Sequence, residues 1–165
     1  MKTLYLVRHA KSSWKYPKLD DFERPLNKRG RKNAPFMGSI LKELNVSPDL
    51  IVSSPANRAA MTARIIAAAL DYPLEDIRYS ETIYEFGEKA LIDVVKKIDD
   101  SVDQAMIVGH NPATNGLANY IGDQPVGNIP TSGVFCVELD IASWSNIKAH
   151  CGKVKFFEYP KKHQS

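Results

Sequence analysis

Arginine and histidine side chains follow three short apolar segments of the sequence. Arg8 and His9 follow the first segment, Arg58 comes a few residues after the second, and His110 follows the third. Each guanidinium offers a planar fork of N–H donors that matches phosphate oxygens and stays charged at any accessible pH. A neutral imidazole beside such an anion pocket can attack phosphorus in line, while the cations stabilise the charge of the transition state. These residue types therefore indicate phosphoryl transfer to a histidine, a reaction that needs no metal or other cofactor.

This interpretation depends more on the positions of the arginines and histidines than on their residue types. A single histidine after a strand is more often a hydrogen-bonded loop residue, and a single arginine is more often a surface cation. Ligands of open α/β sheets bind beyond the carboxyl ends of the strands, where loops and helix N-termini converge. If the three apolar segments are parallel strands, both arginines and both histidines meet at one edge of the sheet.

Five short β-rich runs predict the strands that must position these residues. They lie at Thr3–Val7, Asp49–Ser53, Gln104–Val108, Gly133–Leu139 and Lys153–Tyr159. Their apolarity is continuous, which is typical of a sheet covered on both faces. Because the segments between the earlier strands are helical, we expect an α/β fold: a three-layer α/β/α sandwich with a central, mostly parallel sheet and an antiparallel edge.

Four helices are predicted from apolar spacing and capping residues. The first has Asn27 as its N-cap and ends near Asn45, with Pro35 expected to cost stability or to kink it. The second has Pro55 in its first turn, the third includes Leu91 and Ile98, and the fourth begins at Asn111-Pro112. No linker or repeat divides the chain, so we expect one domain over residues 1–165.

Composition excludes several classes of function. The 22 basic and 19 acidic residues give a formal charge of +3, well short of a dedicated nucleic-acid binder. No Walker-type, HExxH or Cys-rich nucleophile motif is present, and Cys136 and Cys151 are not spaced as zinc ligands. Cys136 lies in an apolar run and is expected to be a buried, inert thiol. We expect no metal site and a reducing compartment, the cytoplasm, because the N-terminus lacks signal-peptide features and no run is long enough to span a membrane.

Several motifs together resemble the histidine phosphatase superfamily, which has the phosphoglycerate mutase-like fold. The sequence LVRHAKSSW at residues 6–14 resembles the RHG-type signature of that superfamily, in the form found in SixA-type phosphohistidine phosphatases. Ala10 stands where the superfamily usually has glycine, a change familiar in the SixA-like branch. Further matches follow in order along the chain: Glu23-Arg24-Pro25-Leu26 with Gly30, Ser53-Ser54-Pro55 with Arg58-Ala59 and Thr62-Ala63, Gly109-His110-Asn111-Pro112, and Pro130-Thr131-Ser132-Gly133.

The resemblance implies a role for each candidate residue. His9 is expected to be the nucleophile, and Arg8, Arg58 and His110 are expected to bind and neutralise the phosphoryl group. Ser12 either donates to the phosphoryl oxygens or is an ordinary turn residue. The substrate-binding set predicted from the motifs is Ser12, Asn111, Thr131 and Ser132.

The proton donor for the leaving group stays open at this point. Relatives place a carboxylic acid between the second and third strands, where Glu85 is the first candidate and Glu81 the second. Either residue can equally be a solvated carboxylate before a helix. A phosphohistidine leaves as imidazole, which needs less help from an acid than an alkoxide does, so a weak or missing acid favours a phosphoramidate substrate.

The resemblance thus predicts a metal-independent phosphatase that forms a covalent phosphohistidine and acts on protein phosphohistidine. The short chain leaves little material for a cap, which favours an open cleft that accepts a residue displayed on another protein. Two alternatives remain: a small-molecule phosphomonoesterase on the same core, and a phospho-binding module without turnover. The expected partner is a phosphorylated protein or a small phosphorylated metabolite, not nucleic acid or membrane, and the expected state is a monomer or weak dimer.

Overall fold

Six strands form one sheet in the computed structural model, which describes residues 1–164. The strands are β1 (Lys2–Arg8), β2 (Leu50–Ser53), β3 (Arg78–Tyr79), β4 (Gln104–Gly109), β5 (Val134–Leu139) and β6 (Gly152–Glu158). They lie in the order β3-β2-β4-β1-β5-β6, with the first four parallel and with β5 and β6 each antiparallel to the strand before it in this order. The predicted, mostly parallel sheet with an antiparallel edge is confirmed; the two-residue β3 was not predicted.

Five helices cover the sheet. They are α1 (Lys28–Glu43), α2 (Asn57–Ala69), α3 (Glu81–Glu85), α4 (Glu88–Lys96) and α5 (Ala113–Ile121). The four predicted helices correspond to α1, α2, α4 and α5, and α3 is an additional short helix. Within residues 1–164, no helix is long and apolar enough to cross a membrane.

Each face of the sheet has its own hydrophobic core. Leu4 and Leu6 of β1 belong to the core that includes residues of α4 and α5. Tyr5 and Val7, the alternate residues of the same strand, belong to the core that includes residues of α1 and α2. Successive side chains of a strand point to opposite faces, so a strand buried on both sides must be apolar at every position. This explains the continuous apolarity of β1 and confirms the three-layer sandwich.

One proline lies inside α1 and another precedes α2. Pro35 lies within α1, which continues from Lys28 to Glu43 without a break. Pro35 and Arg31 are both exposed, so water can bind the Arg31 carbonyl, which lacks the N–H that residue 35 would otherwise donate. Pro55 was expected in the first turn of α2 but precedes the N-cap, Ala56, and helical geometry begins at Asn57.

The first turn of α1 is attached to the loop that follows β1. The Asn27 N–H donates to the Lys11 carbonyl at 3.0 Å, and the Ser13 N–H donates to the Pro25 carbonyl at 2.8 Å. Gly30 lies directly against the Lys11 carbonyl, where a Cβ atom would overlap the backbone oxygen. The loop after β1 therefore has a fixed position that depends on the absence of a side chain at residue 30.

We expect Gly30→Ala to destabilise the protein although alanine is the better helix former by about 1 kcal/mol. The new methyl group meets a backbone oxygen that cannot rotate away, and overpacking of this kind costs roughly 1–3 kcal/mol. Thermal unfolding measures the effect as a fall in Tm. Gly127→Ala is the control, because no atom lies within 4 Å of the Cβ position at residue 127. A Gly30→Ala protein as stable as the wild type would show that the close approach imposes no constraint.

Candidate active site

The predicted residues lie together beyond the carboxyl ends of β1, β2 and β4. This edge of the sheet runs across the strand ends and is distinct from the antiparallel edge formed by β5 and β6. Arg8 is in register with Gly109, and the His9 N–H donates to the Gly109 carbonyl at 3.0 Å. Strand β5 runs in the opposite direction and begins at this edge, where the Ser132 N–H donates to the Arg8 carbonyl at 3.1 Å. Because β1 lies between β4 and β5, residues distant in sequence surround its carboxyl end.

His9 is held as a buried, neutral imidazole. His9 is only 8% exposed, and its Nδ1 is 2.7 Å from the Ala10 carbonyl oxygen. A carbonyl can only accept, so Nδ1 carries the proton and Nε2 keeps its lone pair. Burial lowers the pKa of His9 to about 3; the Ala10 hydrogen bond opposes this shift, and the charges of His110, Arg58 and Arg8 add to it. At neutral pH this side chain has the form that a nucleophile requires.

His110 packs against His9, with ring centroids 5.1 Å apart. Its Nε2 is 2.8 Å from the hydroxyl of Ser54, which is fully buried and also accepts from the Ala56 N–H at 3.2 Å. Ser54 has a hydroxyl proton that can be donated to Nε2, and in that tautomer the His110 proton lies on Nδ1. That Nδ1 is buried and has no hydrogen-bond partner. Burial, with the charge of Arg58 next, lowers the pKa of His110 to about 4, so it too is neutral at pH 7.

The two predicted arginines are each anchored through one side of the guanidinium. Arg8 donates from Nη1 to the Ile129 carbonyl at 2.9 Å. Arg58 donates from Nη1 to the Asp21 carbonyl at 2.8 Å and from Nη2 to the Asp21 carboxylate at 3.0 Å. In both side chains Nε is buried and lacks a partner. Each arginine is therefore positioned by the protein and retains a buried donor for a ligand.

Asp21 and Tyr84 are site residues that the sequence analysis missed. The Tyr84 hydroxyl donates to the Asp21 carboxylate at 2.8 Å, and the Tyr84 ring packs edge-on against His110 with centroids 5.6 Å apart. Burial raises the pKa of Asp21, but hydrogen bonds from Tyr84 and Arg58 outweigh this and hold the pKa below its usual value. These two residues connect the loop before α1 with α3 around Arg58, and no local sequence pattern indicates such a contact.

Arg24 is a third arginine at this edge. It donates from Nη2 to the Ser12 hydroxyl at 2.7 Å, and its guanidinium carbon lies 3.5 Å from the centroid of the Trp14 ring. Its charge lowers the pKa of His110, which places it within electrostatic reach of the site. Its sequence signal is the Glu23-Arg24-Pro25-Leu26 match, which implies no role for the side chain by itself. Ser12 uses its hydroxyl in this contact.

Buried polar atoms without hydrogen-bond partners are concentrated here. Among residues 1–164, these side-chain atoms are Arg8 Nε, Arg24 Nε and Nη1, Arg58 Nε, His110 Nδ1, Thr114 Oγ1 and Ser132 Oγ. Buried polar groups are normally paired, so each exception needs an explanation. Most of these atoms can donate. Arg24 Nε faces the Asp21 carboxylate at 3.5 Å, whereas the atoms of Arg8, Arg58, His110 and Ser132 suit a ligand with several acceptor oxygens, such as a phosphoryl group.

The remaining substrate-binding candidates have less direct positions. Asn111 donates to the Ile129 carbonyl at 3.0 Å and accepts from the Asn115 N–H at 3.2 Å, so its amide braces the surrounding loops. Thr131 lines a separate cavity that also includes Lys11. Ser132 has a φ of 66° and a buried hydroxyl without a partner. Of the predicted binding residues, Ser132 is the one whose side chain combines burial with a free hydroxyl.

A cavity of about 280 Å³ lies beside His110. It is lined by Ile83, Tyr84, Phe86, Gly87, Glu88, His110, Asn111, Pro112 and Ala113. Glu85 and Glu81, the two predicted proton donors, are exposed and do not line it. Glu88 does line it, at the start of α4, and was not considered from the sequence. The turn between α3 and α4 thus directs a different carboxylate to the cavity.

Clusters of metal-ligating side chains and the Cys136 thiol are the other features that could support chemistry. Within residues 1–164, no group of three or more His, Cys, Asp or Glu side chains is arranged to hold a metal ion. Cys136 is buried, and burial raises the pKa of its thiol to about 12, which agrees with the inert thiol expected from its apolar surroundings.

Comparisons with known proteins agree with this site. Residues 4–87 match the model of the histidine phosphatase superfamily (branch 1). An uncharacterized chloroplastic protein of Arabidopsis thaliana is 33% identical over 92% of this chain and 72% of its own length. An uncharacterized protein of Mycobacterium tuberculosis is 29% identical over 94% of this chain and its whole length.

Solved structures extend the likeness to the whole fold. The crystal structure of a protein from Agrobacterium tumefaciens, provisionally named phosphohistidine phosphatase SixA, superimposes with a TM-score of 0.76 and 25% identity. The alignment covers 96% of this chain and 99% of that one. The chain therefore belongs to the histidine phosphatase superfamily, branch 1, and its fold is that of the SixA-type members.

Proposed function

We propose that this phosphatase hydrolyses phosphohistidine on proteins through a covalent phosphohistidine intermediate at His9. The observation that carries the proposal is the neutral imidazole of His9 beside buried, unpartnered donors of Arg8, Arg58 and His110. A phosphoryl group supplies the acceptors that these donors lack. The nucleophile, the anion pocket and the donors that stabilise the transition state are thus present within one site.

The reaction proceeds in two displacements at phosphorus. In the first, the lone pair on His9 Nε2 forms a bond to phosphorus while the bond to the leaving nitrogen breaks, and that nitrogen takes the electron pair. With a proton on its other nitrogen, the leaving ring departs as neutral imidazole. The Nε atoms of Arg8 and Arg58 and the Nδ1–H of His110 donate to the equatorial oxygens, where charge develops. In the second, water attacks phosphorus, the bond to His9 breaks, and inorganic phosphate leaves. His9 returns to its starting form because its proton stays on Nδ1 throughout, hydrogen-bonded to the Ala10 carbonyl.

Three features support phosphohistidine as the substrate. The carboxylates predicted as proton donors are exposed and lie outside the cavity beside His110, and an imidazole leaving group depends on an acid less than an alkoxide does. The cavity wall presents the aromatic rings of Tyr84 and Phe86, and Phe86 is 59% exposed, so the entrance is open. The structural relative from Agrobacterium tumefaciens carries the phosphohistidine phosphatase name.

A second candidate, hydrolysis of small phosphate monoesters, is favoured by Glu88. Glu88 lines the same cavity as His110, and a protonated carboxyl group at that position can protonate an alkoxide leaving group. The two functions share the same core and differ in their need for that proton.

The proposed setting is the cytoplasm, with a phosphorylated protein as partner. Cys136 and Cys151 are both free, as expected where thiols are kept reduced.

The covalent intermediate can be tested by rapid quenching. We expect wild-type protein, mixed briefly with a ³²P-labelled phosphohistidine peptide, to carry acid-labile, base-stable label, and His9→Ala to carry none and lose turnover. His150→Ala is the control, because His150 bonds to the Gly122 carbonyl away from the site. Full turnover by His9→Ala would overturn the mechanism, and binding without turnover by the wild type would favour a phospho-binding module.

Ser54 should act as a positioning residue for His110. In Ser54→Ala the imidazole loses the donor that places its proton on Nδ1, so we expect kcat to fall by roughly 10- to 100-fold. Complete loss of one transition-state donor costs about 10²–10³-fold, and here the correct tautomer is still partly populated. ¹⁵N NMR of the His110 ring should show the altered tautomer. Ser53→Ala is the matched control, since Ser53 is equally buried but its hydroxyl donates to the Ser54 carbonyl and not to His110. Equal kcat values for the two variants would contradict the role.

The leaving-group requirement separates the two substrate classes. We expect kcat/KM for a phosphohistidine peptide to exceed that for sugar phosphates and nucleotides, and to change less than about twofold in Glu85→Gln and Glu88→Gln. If esters are the substrates, loss of the general acid should lower kcat by about 10²–10⁴-fold in one of these variants. Turnover of esters as fast as that of the peptide would reject the preference for phosphohistidine.

A further inference from the structure

Six exposed cations surround the first turn of α1, and we call them the α1 cation cluster. They line two cavities of about 200 and 370 Å³, and they are Lys11, Lys15, Lys28, Arg29, Arg31 and Lys161. None of them forms an ion pair with another residue in the described part of the chain. With a formal charge of only +3 for the whole protein, this is a local concentration of positive charge.

The position of this charge is unfavourable for the helix itself. Lys28, Arg29 and Arg31 occupy the first four residues of α1, and its first turn contains no acidic residue. The N-terminal end of a helix carries partial positive charge and favours anions, so cations here are repelled by the helix dipole and by one another. Stability of α1 therefore does not explain the cluster, whereas binding of an anion does.

The cluster is continuous with the catalytic loop. Lys11 is two residues after His9, and its carbonyl accepts the Asn27 N–H next to the first turn of α1. One cavity also includes Thr131, next to Ser132 of the site, and the other includes Ser13. A molecule bound on the cluster would thus lie beside the group that reacts with His9.

The spacing of the cations fits an extended anion better than a single phosphate. Arg29 and Asn33 line one cavity and lie on one face of α1, whereas Lys28 and Arg31 line the other cavity on a different face. A helix with its side chains is about 10 Å across, so one phosphate cannot occupy both cavities. A chain with several carboxylates can cross the helix end and reach both.

We propose that the α1 cation cluster binds an acidic segment of the substrate protein close to its phosphorylated residue. The proposal rests on the proposed function and adds a determinant of specificity: the charge of the sequence around the phosphohistidine. Attraction between complementary charges accelerates encounter and positions the partner, and it weakens as salt screens the charges. The cluster would select among phosphorylated proteins while the catalytic residues act on any of them.

The test compares two triple variants that remove the same number of charges. Lys28→Gln/Arg29→Gln/Arg31→Gln disrupts the cluster. Lys97→Gln/Lys148→Gln/Lys153→Gln is the matched control, because these exposed lysines lie towards the opposite edge of the sheet and form no ion pair with a described residue. The substrates are two phosphohistidine peptides that differ only in glutamates or serines around the histidine.

At low ionic strength we expect the wild type and the control to prefer the acidic peptide by roughly tenfold in kcat/KM, within the range of electrostatic steering. The cluster variant should lose this preference, hydrolyse the serine peptide normally, and have an equal or higher Tm because repulsion at the helix end is relieved. High salt should abolish the preference. A preference retained by the cluster variant, or lost equally in both variants, would overturn the proposal.

Binding of the unphosphorylated glutamate peptide separates this proposal from the proposed function. Even if phosphohistidine is not turned over, the wild type and the control should bind that peptide and the cluster variant should not. Failure of the wild type to bind it would reject the acidic segment, and so would binding only of single-stranded DNA or of vesicles rich in anionic lipid.

Discussion

The parallel pairing of β1 with β4 is the constraint on which the active site depends. The register Arg8 to Gly109 places the residues after both strands side by side, and the His9 N–H bond to the Gly109 carbonyl extends this pairing by one residue. The two imidazoles then pack together at 5.1 Å. A shift of one residue would turn every side chain of β1 to the other face and separate these groups. Two hydrophobic cores, one on each face, hold the register, so the packing of the sheet and the geometry of the site have one origin.

The arrangement of the site lowers the stability of the folded protein. Burying an N–H without a partner is unfavourable, and here several such atoms belong to arginine and histidine side chains at one edge of the sheet. The same burial keeps His9 and His110 uncharged at neutral pH, which a nucleophile and a directed donor require. Desolvation therefore serves both the reactivity of the imidazole and the affinity for an anion. Under the proposed function a phosphoryl group accepts from these donors, and its binding offsets the cost of burying them.

Charge is arranged in layers around His9, the proposed nucleophile. Closest to His9, Arg8 and Arg58 retain buried donors, and Asp21 with Tyr84 fixes the orientation of Arg58 without neutralising its Nε. Farther out, Arg24 stacks on Trp14 and bonds to Ser12. Outermost is the α1 cation cluster, whose members form no ion pair with a described residue. Buried charges act over short distances on the reacting group, whereas exposed charges act over about a Debye length on an approaching partner.

The sequence by itself determined the order of all described strands but β3 and of all described helices but α3, the parallel sheet with its antiparallel edge, and the meeting of Arg8, His9, Arg58 and His110 at the strand ends. These properties follow from local patterns: apolar runs, capping residues and the position of polar side chains after a strand. Only the tertiary structure decided the protonation state of His9 and the bond between Ser54 and His110. It also decided the contact of Asp21 with Arg58 and Tyr84, and that Glu88 and not Glu85 lines the cavity. Each of these depends on the distance and burial of side chains far apart in the chain, and no pattern of neighbouring residues encodes a distance across the fold.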